Sequence, residues 1–122
     1  MVSDNFFFFV EKLRSDIPEV EAVQLLTVDG LTLSDGVHSC NDDRLSALTA
    51  LLCSGAEQLA ACLSPNASPK GTVVCVDNTA YAAIRVNNDL TLGIKMQEQA
   101  MYSHLLSKVH AVIAANPSYF SV

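Results

Sequence analysis

The chain has 122 residues, half of them hydrophobic, and a formal net charge of −6. That length suits one domain with a real core, and the apolar content excludes a disordered chain. No basic patch exists to neutralise phosphates, so neither nucleic-acid binding nor charge-driven adsorption to anionic membranes is expected.

Asn5 to Ser15 reads as a first helix, with Phe6, Phe9 and Leu13 on one face and Val10 beside them. Ser3 or Asp4 can cap it, and Ile17-Pro18 ends it. Four adjacent phenylalanines, Phe6 to Phe9, cannot all face one core from a helix, so at least one should be exposed or meet a partner. The run Phe6–Val10 is too short for a signal sequence and has no basic segment before it. No apolar run approaches the roughly 20 residues of a membrane span. The expectation is a cytoplasmic protein with no direct membrane insertion.

Val20 to Val28 reads as a strand with two apolar faces, which predicts a central position between helices. Asp29-Gly30 is a hairpin signal, and Leu31 to Leu33 returns as a short strand before Ser34-Asp35-Gly36 breaks it. A long helix starts near Asn41 or Asp42 and runs to Leu63. Ser64 to Gly71 is a loop with two prolines. Thr72–Val76, Tyr81–Val86 and Leu90–Met96 follow as strands, separated by Asp77-Asn78 and Asn87-Asn88-Asp89 turns. In the last of them Leu90, Leu92, Ile94 and Met96 face one way. Gln97 to Ala115 is a final helix with Met101, Leu105, Val109 and Val112 as its stripe. The predicted fold is α+β: one domain over residues 1–122, with five strands in a mainly antiparallel sheet and three helices on its two faces.

The long helix is the most informative element. Leu45, Leu48, Leu52, Leu59 and Leu63 form a large-residue stripe, and the rest of the cylinder is small: Ala47, Ala50, Cys53, Ser54, Ala60 and Ala61. Glu57 is the one charge between Arg44 and Lys70. A surface helix of a monomer carries a charged outer face, so a second copy or a paralogue is expected to cover this one. Gly55, mid-helix, costs about 1 kcal/mol relative to alanine, which close packing by a neighbour would explain. The flank around Ala47, Ala50, Leu51, Ser54, Gln58 and Ala61 is predicted to carry the helical part of a dimer interface. The strand residues Val73, Val74, Cys75 and Val76 would carry the rest through an open sheet edge.

Charge is uneven. Residues 1–43 hold nine acids against Lys12 and Arg14; residues 44–122 hold four acids and five bases. The acidic third is either a solvated face or a docking surface for a basic partner. Cys40, Cys53, Cys62 and Cys75 lack a Cys-x-x-Cys pattern and read as buried reduced thiols. His38, Cys40, Asp42 and Asp43 resemble metal-ligand spacing faintly, but no second ligand pair is nearby and a loop before a helix cap explains them. His104 and His110 fall on the polar side of the last helix and read as solvent-exposed. No phosphate-cradling glycine loop and no set of nucleophile, base and orienting group stands out, so no catalytic activity and no cofactor are expected.

The element order, the Leu45–Leu63 helix and the segments VEAVQLLTVDGLTLSDG and TVVCVDNTAYAAIRV are similar to the roadblock family of small dimeric adaptors. That family includes the roadblock-type dynein light chains, a bacterial polarity protein that acts on a Ras-like GTPase, and the adaptor pairs of Ragulator. The resemblance implies a five-stranded antiparallel sheet with the long helix on one face and the terminal helices on the other. It implies dimerisation with itself or a paralogous subunit through the long helix and the third strand. It also implies no active site, and a role in binding or scaffolding small Ras-like GTPases. A partner would dock on the long-helix platform rather than on the acidic side near Glu11, Asp16, Glu19 and Glu21. The competing reading is a small-ligand sensor or a longin- or profilin-like module, which needs buried polar groups converging on a cavity; few such groups are evident.

Overall fold

A computed structural model describes residues 2–33, 43–66, 68–98 and 102–116. Helix α1 (Val2–Asp16) leads to strand β1 (Val20–Thr27). The long helix α2 (Asp43–Leu63) follows, then β2 (Thr72–Val76), β3 (Thr79–Arg85), β4 (Leu90–Gln97) and α3 (Tyr102–Ala115). The strands form one antiparallel sheet in the order β1-β4-β3-β2.

Among the described residues the sheet has four strands, not the five expected. Gly30, at φ 95°, reverses the chain after β1, and Leu33 N–H donates to the Leu25 carbonyl at 2.8 Å. The return is a single bridge, Leu26 to Thr32. A strand lasts where its faces bury side chains; Leu31 is 68% exposed, so nothing anchors a longer one. Strand β1 therefore stands at one end of the four-strand order, with β2 at the other, rather than at its centre. Its two apolar faces report the helices above and below it, not neighbours at its edges.

Side-chain alternation splits the sheet into two unlike faces. Behind it, Phe6, Phe9, Val10 and Leu13 of α1 pack with Leu105, Leu106, Val109 and Val112 of α3. They cover Val23, Leu25, Ala82, Ile84, Leu92, Ile94 and Met96. Phe6 and Phe9 stack, with ring centroids 6.1 Å apart. Phe7 and Phe8 are exposed and meet edge to face, as the helical period requires. The predicted stripes of α1, β4 and α3 are all in this core, except Met101, which lies outside the described residues.

Candidate functional site

The other face of the sheet carries α2, and its seating is polar. The buried residues of α2 are Ser46, Thr49 and Cys53. Gln24 of β1 donates from Nε2 to the Ser46 hydroxyl, which also bonds the Thr32 hydroxyl. The Tyr81 hydroxyl donates to Gln24 Oε1 at 3.3 Å and lies 2.8 Å from Thr49 Oγ1. Gly93 of β4 makes this possible. A Cβ there would stand 1.9 Å from the Tyr81 hydroxyl oxygen, so only glycine lets the ring cross the strand. At the other side of the helix Arg85 bonds Glu57 at 3.1 Å. Beneath it, Thr91 Oγ1 and Arg85 Nε are buried without a hydrogen-bond partner. Four buried polar residues, Gln24, Ser46, Thr49 and Thr91, lie in this layer, more than the sequence pattern suggests.

Because small polar residues face the sheet, the leucines face out. Leu48, Leu51, Leu59 and Leu63 are exposed, Leu51 by 68% and Leu63 by 80%. The outer face thus carries leucines as well as small residues such as Ala47, Ser54 and Ala61. Two open apolar grooves run between these leucines and β2. One, of about 670 Å³, is lined by Leu51, Gly55, Leu59, Leu63 and Thr72 among others. The second, of about 540 Å³, lies between Leu48, Leu51, Leu52, Val74 and Tyr81. Gly55 sits in the first, and a Cβ there would meet nothing within 4 Å. No described part of the chain explains that glycine.

The predicted interface residues divide. Val73, Val74, Cys75 and Val76 lie on β2, the end of the strand order, with Val74 and Val76 exposed. Leu51 faces the grooves beside that strand. Ala47 and Ala50 lie on the opposite flank, where the Gly30 turn rests against them. Ser54, Gln58 and Ala61 are exposed and line neither groove. The signal for the leucine face is present in the spacing of Leu48, Leu51, Leu59 and Leu63. Reading it requires Gln24 and Tyr81, whose polar side chains claim Ser46 and Thr49 for the sheet.

Other expectations meet mixed outcomes. Cys53 is buried, and burial pushes its thiol up, partly offset by the Arg85 charge. Cys62 and Cys75 are exposed, contrary to expectation: Cys62 because it lies on the outer face of α2, Cys75 because β2 is an edge. His104 is exposed, and His110 Nε2 is hydrogen-bonded to the Lys70 carbonyl at 2.6 Å. Among the described residues no cluster of metal-ligating side chains occurs; His38, Cys40 and Asp42 lie outside them. By length and composition α2 could cross a membrane. Here it lies on the sheet instead, bonded through Ser46, Thr49 and Glu57.

No known family profile and no curated protein matches the chain. Solved structures do. A Roadblock/LC7 domain from Streptomyces avermitilis superposes at a TM-score of 0.75 and 19% identity, over 92% of this chain and 94% of that one. The chain has the roadblock fold. A structure described as MglB with tetrameric arrangement matches at a TM-score of 0.64 and 18% identity, covering 95% of this chain and 93% of that one. The gliding protein MglB from Thermus thermophilus gives a TM-score of 0.63 and 18% identity, over 93% and 92%. At these identities the likeness is one of fold. Within the roadblock fold of this chain, α2 and β2 together leave apolar surface uncovered along two grooves, apart from the exposed Phe7 and Phe8 of α1.

Proposed function

We propose that the protein is a non-catalytic cytoplasmic adaptor that works as a dimer and holds a small Ras-like GTPase or a similar signalling subunit. The observation that carries this is the exposed leucine face of α2 beside the outer edge of β2. The solved relative with a tetrameric arrangement lends support from another protein of the same fold.

The leucine face suits a second copy of the chain. Leu51 and Leu59 lie four residues either side of Gly55, and Leu48 and Cys62 lie seven either side. Two α2 helices crossing antiparallel at Gly55 would set Leu51 of one against Leu59 of the other. The missing Cβ lets the backbones approach, and the charge-poor surface brings no like charges together. Val74 and Val76 at the sheet edge would extend the contact by strand pairing. Ala47, Ser54, Gln58 and Ala61 would be left at the rim, as part of the platform for the GTPase. The sensor reading gains little from the polar layer: Gln24, Ser46, Thr49 and Tyr81 bond one another, and the groove that Thr49 and Tyr81 border is open and otherwise lined by leucines and Val74.

Cross-linking tests the arrangement. In a protein whose other cysteines are replaced by alanine, Cys62 alone should not cross-link, whereas adding Leu48→Cys should give a disulfide-linked dimer under mild oxidation. A dimer that links through Cys62 alone rejects the antiparallel crossing. A species of 13.1 kDa by light scattering at micromolar concentration rejects the dimer. The GTPase role is checked by pull-down with nucleotide-loaded Ras-like GTPases; no capture in either nucleotide state counts against it.

A further inference from the structure

The seat of α2 differs in kind from the seats of the other helices. Helices α1 and α3 bury Phe6, Phe9, Leu13, Leu105 and Val109 against the sheet. Helix α2, the longest at 21 residues, buries two hydroxyl residues and one cysteine. Leu48, Leu51, Leu59 and Leu63 point the other way, and Leu45 and Leu52 are half-buried. What holds it down is the Gln24–Ser46 and Tyr81–Thr49 bonding, the Arg85–Glu57 ion pair and the Gly30 turn.

We propose that α2 is a separately opening element: in a lone protomer it leaves the sheet while α1, α3 and the four strands stay folded, and covering its leucine face closes it. Three physical points support this. Hydrogen bonds to the sheet are exchanged for bonds to water on opening, so their net hold is small. Burial of large apolar groups is the main cost of separating packed layers, and α2 fully buries none; Leu45 and Leu52 are only half-buried. Thr91 Oγ1 and Arg85 Nε, unpartnered beneath the closed helix, gain water when it lifts.

The consequence is that partner binding and helix docking become one equilibrium. A partner that reads the closed platform binds with an affinity reduced by the fraction of open protomers, and dimerisation removes that loss. This regulatory step rests on the proposed dimer, whereas the opening itself belongs to the isolated chain.

Amide hydrogen exchange followed by mass spectrometry tests it, with light scattering on the same samples. The samples are the full-length protein across a dilution series and the variant Leu51→Asp/Leu59→Asp, which places charges on the leucine face. In the variant, amides of residues 47–62 should exchange ~100-fold or more faster than those of β4. In the concentrated wild type the difference should shrink, and it should return on dilution. Protection of β4 in the variant shows that the sheet is intact. Tyr81→Phe, which keeps the ring and removes the hydroxyl, should speed α2 exchange further and leave β4 unchanged. If α2 in a sample of protomer mass exchanges no faster than β4, the proposal is overturned. That holds equally if the wild type itself proves monomeric, a result that would separately remove the dimer.

Discussion

Behind the sheet, Phe6, Phe9, Leu13, Ile94, Met96 and Val109 make a continuous apolar core; in front of it, Gln24, Ser46, Thr49, Tyr81 and Thr91 make a polar, largely hydrogen-bonded layer. The apolar side carries most of the stability, because burying large side chains is the dominant favourable contribution to folding. The polar side fixes where α2 sits, because hydroxyl and amide partners tolerate one register while leucines tolerate several. Having anchored itself with small residues, α2 is free to turn its large ones outward. The chain thus separates the surface that folds it from the surface that meets others.

Substitutions on the two sides should break this contrast unequally. Phe9→Ala, in the apolar core, should cost about 3–5 kcal/mol of unfolding free energy in urea titration. Gly93→Ala should cost about 1–3 kcal/mol, by driving a methyl group into the Tyr81 hydroxyl. Much of that loss should be recovered in the double variant Gly93→Ala/Tyr81→Ala, which removes the opposing ring; additive losses would mean that Gly93 matters for another reason. Tyr81→Phe should cost about 1 kcal/mol by removing a hydrogen-bond partner of Gln24 and Thr49. Leu51→Ala should change protomer stability by less than about 0.5 kcal/mol, since that side chain is largely exposed. The same change should weaken the dimer measurably by analytical ultracentrifugation. The smallest effect concerns thiols. Maleimide should modify Cys75 quickly, Cys62 quickly in dilute protein and more slowly in concentrated protein, and Cys53 slowest at both. Cys53 is slowest because burial both shields its thiol and holds it protonated.

Much of the fold is legible in the residues. The period of Phe6, Phe9 and Leu13, the alternation of Leu90 to Met96 and the prolines after Ser64 place their elements within a few positions. Legibility fails where the outcome depends on contacts across the fold. Leu31 to Leu33 has strand composition, yet among the described residues Leu31 is largely exposed. Gln24 interrupts β1 in a way that looks like a tolerated exception, and its partners Ser46 and Tyr81 are 22 and 57 residues away. The composition of α2 points to an interaction surface on its small residues; Ala47, Ser54 and Ala61 are exposed, and Leu48, Leu51, Leu59 and Leu63 are exposed beside them. Leucine spacing cannot say which side of a helix is inward; the tyrosine reaching across Gly93 decides that.

The outward leucines of α2 also bear on the protein's life before it finds a partner. Heat-shock-type chaperones and degradation machinery recognise exposed apolar stretches of this kind, because folded monomers rarely display them. A copy left without a partner therefore resembles a damaged protein to the cell that made it. On the proposed reading, the lifetime of each new chain is set by how soon it is matched. Expressing it in excess of any obligatory partner should raise its turnover rather than its abundance.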